Sequence, residues 1–283
     1  MCAIIVSDAA GSRAAGNGSR APEAQDAATG GETICVIKSQ PLPTKPTLRS
    51  PGRLTLCSAE KISLLEIRGV DGRSVSELTP AEAGALRARL TDAGISVWSL
   101  GSPYGKSGIR EPFGPRLDEF RRGLELALAL GASHIRLFSF FLPREEAPQV
   151  FRDEVLERLS RFCEAAQGSG IVLCHENEKG IYGDTAPRCA EIHRALPDLR
   201  AVFDPANFIQ CGQPTLPAWE LLAPYVEYMH IKDALADGSV VPAGCGEGHL
   251  PELLEQYQGT VLTLEPHLAV FEGLAALEQE GAR

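Results

Sequence analysis

Short apolar runs alternate with amphipathic stretches from Ile62 to the C-terminal end of the chain. The apolar runs predict β-strands, at 63–70, 95–103, 133–141, 170–177, 199–207, 226–234 and 260–268. The amphipathic stretches predict helices, at 79–94, 115–131, 148–167, 185–195, 217–226, 250–258 and 271–279. Each strand-plus-helix unit is about 25 to 35 residues long, which is typical of a parallel sheet covered by helices.

The best-defined of these helices shows both end signals. Thr79 is placed to cap the N-terminus, Pro80 stands at the first helical position, and Glu82 completes a capping box. Gly94 ends the pattern. The 79–94 segment is therefore predicted as a helix that follows the first regular strand.

The first 61 residues do not follow this alternation. Residues 1–32 are mostly small and polar and predict a disordered tail, whereas 33–283 are predicted to form a single domain. The run TICVIKS (33–39) predicts a strand, but prolines at 41, 43, 46 and 51 exclude an ordinary helix after it. The predicted fold class is α/β, a (β/α)8 TIM barrel with an atypical first βα unit at 33–61. A doubly wound open sheet is the alternative, but the glycine-rich first turn typical of that fold is missing.

Four successive predicted strands each carry one ligand-type polar residue, two of them at the strand end. These residues are Glu176, Asp204, His230 and Glu265, at intervals of 28, 26 and 35 residues, about one βα unit each. Since parallel strands of a barrel end at the same rim, these side chains are expected to meet. Three carboxylates repel one another unless a cation lies among them, and this donor set suits Mn²⁺, Mg²⁺ or Co²⁺, with Zn²⁺ as a further option. The alternative is four separately hydrogen-bonded rim residues.

Seven short motifs from Ile62 to Phe271 resemble the sugar phosphate isomerase/epimerase family of xylose-isomerase-like TIM barrels. They are LEIRGVDG, IRLFSF, HENEKGIYGDT, FDPANF, HIKDA, VPAG and LEPHL. The resemblance implies one divalent metal ion held by the four residues above. It also implies that Glu176 and Glu265 are the catalytic pair that removes and returns a proton. The expected activity is isomerisation or epimerisation of a keto-sugar or sugar phosphate through a metal-stabilised cis-enediolate.

Lys232 and Asn207 are candidate substrate-binding residues close to these positions. Lys232 follows His230 by two residues and could neutralise an oxyanion or phosphate, or it could pair with Asp233. Asn207 follows Asp204 by three residues and could bind a substrate hydroxyl or cap the following turn.

His267 and Arg68 complete the set of candidate substrate-binding residues. His267 shares a strand face with Glu265. Arg68 shares a face with Glu66, so an ion pair at the barrel mouth is favoured over a direct catalytic role.

Three other functions compete with a sugar epimerase. A dehydratase or ketose isomerase acting on an inosose or hydroxypyruvate would use the same metal and carboxylates. An abasic-site endonuclease is less favoured, because that class needs several extra histidines and this chain has Asn207 where one of them would stand. A non-catalytic, degraded barrel is the third, and the irregular N-terminal region motivates it.

Composition restricts the partners of the chain. Asp and Glu number 37 against 27 Lys and Arg, and a net charge of −10 argues against nucleic acid. No apolar run is long enough for a membrane span, and the eight cysteines contain no CxxC pair. We therefore expect a cytoplasmic enzyme that acts on a small carbohydrate, with no membrane contact. The sequence leaves a homo-oligomer open.

Overall fold

A computed structural model describes residues 2–6, 33–38, 63–70 and 73–265, with side chains described in the last two ranges. In that part of the chain, nine strands form one closed barrel. They are β1 (Cys2–Val6), β2 (Thr33–Lys38), β3 (Leu64–Ile67), β6 (Ser96–Gly101), β7 (His134–Leu137), β8 (Val172–Glu176), β9 (Arg200–Phe203), β10 (Val226–Ile231) and β13 (Val261–Leu264). Two short ribbons lie outside it, formed by β4 (Gly69–Val70) with β5 (Arg73–Ser74) and by β11 (Asp233–Ala234) with β12 (Val240–Val241).

Seven of the barrel strands, β3, β6, β7, β8, β9, β10 and β13, are parallel. The two N-terminal strands run in the opposite direction: β1 pairs antiparallel with β13, and β2 pairs antiparallel with β3. A TIM barrel with an atypical first unit is thus confirmed, because a helix-linked first strand would be parallel to its neighbours. Strand β1 lies inside the predicted tail, and residues 7–32 lie outside the described ranges, so the division at residue 32 stays a prediction.

Helices cover the outside of the regular strands. They are α1 (Pro80–Asp92), α2 (Phe113–Leu130), α3 (Arg152–Ala166), α4 (Ala186–Ala195), α5 (Pro205–Gln210), α6 (Thr215–Leu222) and α7 (Leu250–Gln256). The capping box is confirmed, since the Glu82 amide donates to Thr79 Oγ1 and the Thr79 amide donates to the Glu82 carboxylate. The predicted last helix, 271–279, lies outside the described residues.

Aromatic side chains fill part of the space between the sheet and its helices. Phe120 and Phe162, on α2 and α3, pack with ring centroids 4.5 Å apart, and Phe113 and Phe140 extend the group. All four contribute to the main hydrophobic core. This packing holds the strands in place, so that the side chains at their C-terminal ends have fixed positions.

Candidate metal centre

The four residues predicted at the strand ends meet at one point. Glu176 is the last residue of β8, Asp204 follows β9, His230 lies in β10, and Glu265 follows β13. All four are buried, and one ligand atom from each lies within 4.8 Å of the others. The sequence therefore located the residues that the fold brings together, while their role as metal ligands stays a prediction.

The imidazole of His230 stands among four carboxylates. Its Nδ1 lies 3.2 Å from Glu176 Oε1, 3.4 Å from Glu265 Oε2 and 3.6 Å from Asp204 Oδ2. Its Nε2 lies 3.3 Å from Glu66 Oε2. Burial alone lowers the pKa of His230, but the charges of Glu176 and Glu66 outweigh it and raise that pKa well above its usual value. A metal ion can bind Nδ1 only when that nitrogen carries no proton. Metal binding would therefore displace the proton that the raised pKa keeps on the ring.

Two buried atoms without hydrogen-bond partners test whether the cluster fits a divalent cation. In the described part of the chain, neither His230 Nδ1 nor Glu265 Oε2 has a hydrogen-bond partner, although both atoms are buried. Buried polar atoms without partners are uncommon and cost free energy. A cation between these two atoms would satisfy both, and a set of oxygens with one imidazole suits Mg²⁺, Mn²⁺, Co²⁺ or Zn²⁺.

Each of the two predicted catalytic glutamates also binds an arginine. Arg136 Nη1 donates to Glu176 Oε2 at 2.9 Å, and Arg68 Nη1 donates to Glu265 Oε1 at 2.7 Å. Burial raises the pKa of Glu176, but Arg136 and His230 more than reverse this and hold it below its usual value. The arginine thus keeps one oxygen occupied and leaves the other directed at the cluster.

Asp204 uses its two carboxylate oxygens differently. Oδ1 accepts the backbone N–H of Asn207 at 2.9 Å and caps helix α5, whereas Oδ2 faces His230. Strand β9 ends at Phe203, so the predicted strand 199–207 is too long: Pro205 at the first helical position begins a helix there. The side chain of Asn177 also exchanges two hydrogen bonds of 2.9 Å with the Asp204 backbone.

Lys232 and Asn207 lie at the edge of the cluster. Lys232 Nζ donates to Asn207 Oδ1 at 2.9 Å and lies 3.4 Å from Asp204 Oδ2 and 3.7 Å from Glu265 Oε2. Burial lowers the pKa of Lys232, but Asp204 and Glu265 raise it above the usual value. Asn207 Nδ2 donates to Glu176 Oε1 at 3.2 Å. Lys232 is therefore a fixed positive charge beside the cluster.

Asp233 holds the loop that follows β12. Its carboxylate accepts backbone N–H groups from Gly244, Gly246 and Gly248 at 2.8–2.9 Å. A Cβ at Gly246 or Gly248 would lie 2.4 or 2.7 Å from Asp233 Oδ1, so there is no room for a side chain at either. Asp233 thus binds loop backbone, which leaves Lys232 directed at the cluster.

Comparison with known proteins identifies the family of the chain. A family model described as the xylose isomerase-like TIM barrel matches residues 60–279. The chain belongs to this family. Among curated proteins there is no match.

Solved structures of similar fold belong to the same group. A xylose isomerase domain protein from Planctomyces limnophilus is 24% identical, with a TM-score of 0.62 over 81% of this chain and 91% of that chain. A xylose isomerase-like TIM barrel protein from Mycobacterium smegmatis, in complex with magnesium, is 17% identical, with a TM-score of 0.61 over 76% and 80%. The 3-keto-D-glucoside 4-epimerase of E. coli is 18% identical, with a TM-score of 0.55 over 72% and 87%. At these identities the likeness shows the fold.

Two residues of this xylose isomerase-like barrel were missed as site residues by sequence reasoning, Glu66 and Arg136. Both are buried, and Arg136 Nε lies 3.8 Å from Glu66 Oε1. A signal for Arg136 was present, because a charged residue alternates with apolar ones in the strand 133–141 and a buried charge needs a partner. Glu66 was expected to pair with Arg68, and the structure shows it in contact with His230 and Arg136.

His267 lies outside the described residues. Among the helices that the structure describes, none has the length and apolar character needed to cross a bilayer.

Proposed function

We propose that this xylose isomerase-like barrel is a divalent-metal-dependent sugar isomerase or epimerase that moves a proton at the carbon next to a substrate carbonyl. The observation that supports it best is the buried cluster of Glu176, Asp204, His230 and Glu265, whose ligand atoms lie within 4.8 Å of one another. The fold is shared with a 3-keto-D-glucoside 4-epimerase and with a protein solved in complex with magnesium. The substrate class we propose is a keto-sugar or sugar phosphate.

The cluster would supply the electrophile for this reaction. With a divalent ion held there, the carbonyl and hydroxyl oxygens of a bound sugar would be polarised and the adjacent C–H would become more acidic. The four ligand residues are at most 7% exposed, so charges interact strongly in this part of the barrel.

The proton would be moved by Glu176 and Glu265. Each has one oxygen directed at the cluster and the other held by an arginine, so each carboxylate is fixed before substrate arrives. Lys232 Nζ lies 3.7 Å from Glu265 Oε2, and its positive charge would stabilise the negative charge that develops on the substrate oxygen. Two bases on different strands are what epimerisation needs, since the proton leaves one face and returns on the other.

Solvent exchange tests this proposal. Purified protein with Mn²⁺ is incubated in D₂O with a panel of ketoses, ketose phosphates and inososes, and NMR follows deuterium at the carbon next to the carbonyl. We expect exchange and a new stereoisomer with one class, and a loss of about 10²–10⁴-fold in rate for Glu265→Gln. Glu178→Gln is the matched control, because Glu178 lies nearby but pairs with Lys106 at 2.7 Å outside the cluster.

The products separate the alternatives. A new stereoisomer or an aldose supports the proposal, whereas loss of water identifies a dehydratase of the inosose type. Full exchange in the presence of a chelator, or the same loss of rate in both variants, would contradict the proposed roles of the metal and Glu265.

A further inference from the structure

We propose that Glu66 is a positioning residue that holds the His230 ring with Nδ1 directed at the metal and fixes its tautomer. This inference rests on the proposed metal-dependent function. It concerns a carboxylate outside the four-residue cluster, and it explains why a charged side chain is buried on strand β3.

Glu66 and His230 meet across the interior of the barrel. They lie on β3 and β10, which are not neighbours in the sheet, and both residues are 0% exposed. Glu66 Oε2 is 3.3 Å from His230 Nε2, on the edge of the ring opposite to Nδ1. Because Nδ1 faces the other three carboxylates, Glu66 cannot share the same ion with it and must act through the ring.

The hydrogen bond determines which nitrogen of His230 is free. An ionised carboxylate can only accept, so Nε2 must be the protonated nitrogen, and a neutral ring then has its lone pair on Nδ1. Arg136 Nε lies 3.8 Å from the other carboxylate oxygen, Glu66 Oε1. The atom left with a lone pair is the one that lies 3.2–3.6 Å from Glu176, Glu265 and Asp204.

Glu66 is itself held in place. Thr263 Oγ1 donates to Glu66 Oε2 at 3.2 Å, and Thr263 is the residue paired with His230 in the adjacent strand β13. The same oxygen therefore accepts from the ring and from the residue beside it. With one oxygen fixed by two donors, the ring cannot rotate without breaking a buried hydrogen bond, and such a contact raises metal affinity by orienting the ligand.

The test compares metal affinity in three proteins. Calorimetric titration of metal-free protein with Zn²⁺ and Mn²⁺ is done for wild type, Glu66→Gln and Ser99→Ala. Ser99 is a matched control because it pairs with Glu66 in the sheet and is 0% exposed, and its hydroxyl contacts Tyr228. We expect affinity to fall by about 10–100-fold for Glu66→Gln and to stay within about threefold for Ser99→Ala.

A spectroscopic measurement separates positioning from a general loss of structure. In zinc-loaded protein with ¹⁵N-labelled histidine, a Nε2 proton bonded to a carboxylate resonates far downfield. We expect the His230 Nε2 proton to move upfield in Glu66→Gln, with Nδ1 unprotonated in wild type. A role limited to packing would leave this resonance unchanged.

The outcomes are distinguishable from failure of the proposed function. If wild type binds no divalent ion, the metal-dependent function itself is wrong. If wild type binds and Glu66→Gln binds equally well, with the resonance unmoved, only the role of Glu66 is overturned. Should Glu66→Gln not fold, Thr263→Val loosens the same carboxylate, and we expect a severalfold loss of affinity; unchanged affinity there also overturns the inference.

Discussion

Asp204 performs two tasks that substitution can separate. One oxygen caps helix α5 through the Asn207 amide, and the other faces the proposed metal ligands Glu176, His230 and Glu265. Asp204→Asn keeps an oxygen for the cap, since Asn is as good a cap as Asp, but removes the negative charge. Asp204→Ala removes both. Neither variant should therefore respond to metal, and Asp204→Ala should be less stable than Asp204→Asn.

The expected sizes follow from the contacts. Loss of a capping side chain costs about 0.5–2 kcal/mol, or about 1–8 °C in Tm at 2–4 °C per kcal/mol. Metal at 100 times its Kd stabilises wild type by about 2.7 kcal/mol, or about 5–11 °C. In chelator, Asp204→Asn should melt close to wild type and Asp204→Ala below it. With Mn²⁺ added, only wild type should rise.

Thermal melts with chelator and with Mn²⁺, alongside metal analysis of the purified proteins, check this. We expect about one divalent ion per wild-type chain, as a single four-ligand site requires, and little in either variant. A metal-dependent rise in Asp204→Asn equal to that of wild type would refute the assignment of Asp204 as a ligand. Equal Tm values for both variants in chelator would refute the capping role.

Two further predictions concern stability. Arg136→Met should lower the free energy of unfolding by about 3–5 kcal/mol, because Glu176 loses its buried cation. Arg116→Met removes an exposed ion pair with Glu119 and should cost about 0–1 kcal/mol. Equal losses of the two variants in urea unfolding would contradict this prediction. Burial lowers the pKa of His193 to about 4. As the pH falls below 6.5, His193 therefore gains a proton in the unfolded chain and stays neutral in the folded one. Between pH 7 and pH 5, the free energy of unfolding should fall by about 2 kcal/mol more in wild type than in His193→Gln. Parallel pH profiles of the two proteins would show that His193 is not the cause.

The strand ends were readable from the sequence because they obey a local rule. Acidic or imidazole side chains recur at one βα interval, and parallel strands deliver their C-terminal residues to one rim. Glu176, Asp204, His230 and Glu265 needed no knowledge of tertiary contacts to be grouped. The capping box at Thr79 was readable for the same reason, since it depends on residues three positions apart.

Contacts across the barrel interior were not readable in this way. Strand alternation says on which face of its own strand a side chain lies, but it does not say which residues of distant strands Glu66 or Arg136 meets. The sequence predicted an ion pair between Glu66 and Arg68, two residues away. In the structure, Glu66 contacts His230, which is 164 positions further along the chain. The end of β9 was misplaced because an apolar strand and a proline-led helix follow each other directly at Asp204.

The clamp that Asp233 makes on three glycine amides has a consequence for laboratory evolution of this chain. A randomised library covering Gly246 and Gly248 would consist mostly of damaged clones, because the first carbon of any new side chain would overlap the Asp233 carboxylate. Diversity is better placed at partly exposed positions outside this loop, such as Lys106 and Glu178, which pair with each other. A screen for altered activity should therefore leave Gly246 and Gly248 unchanged.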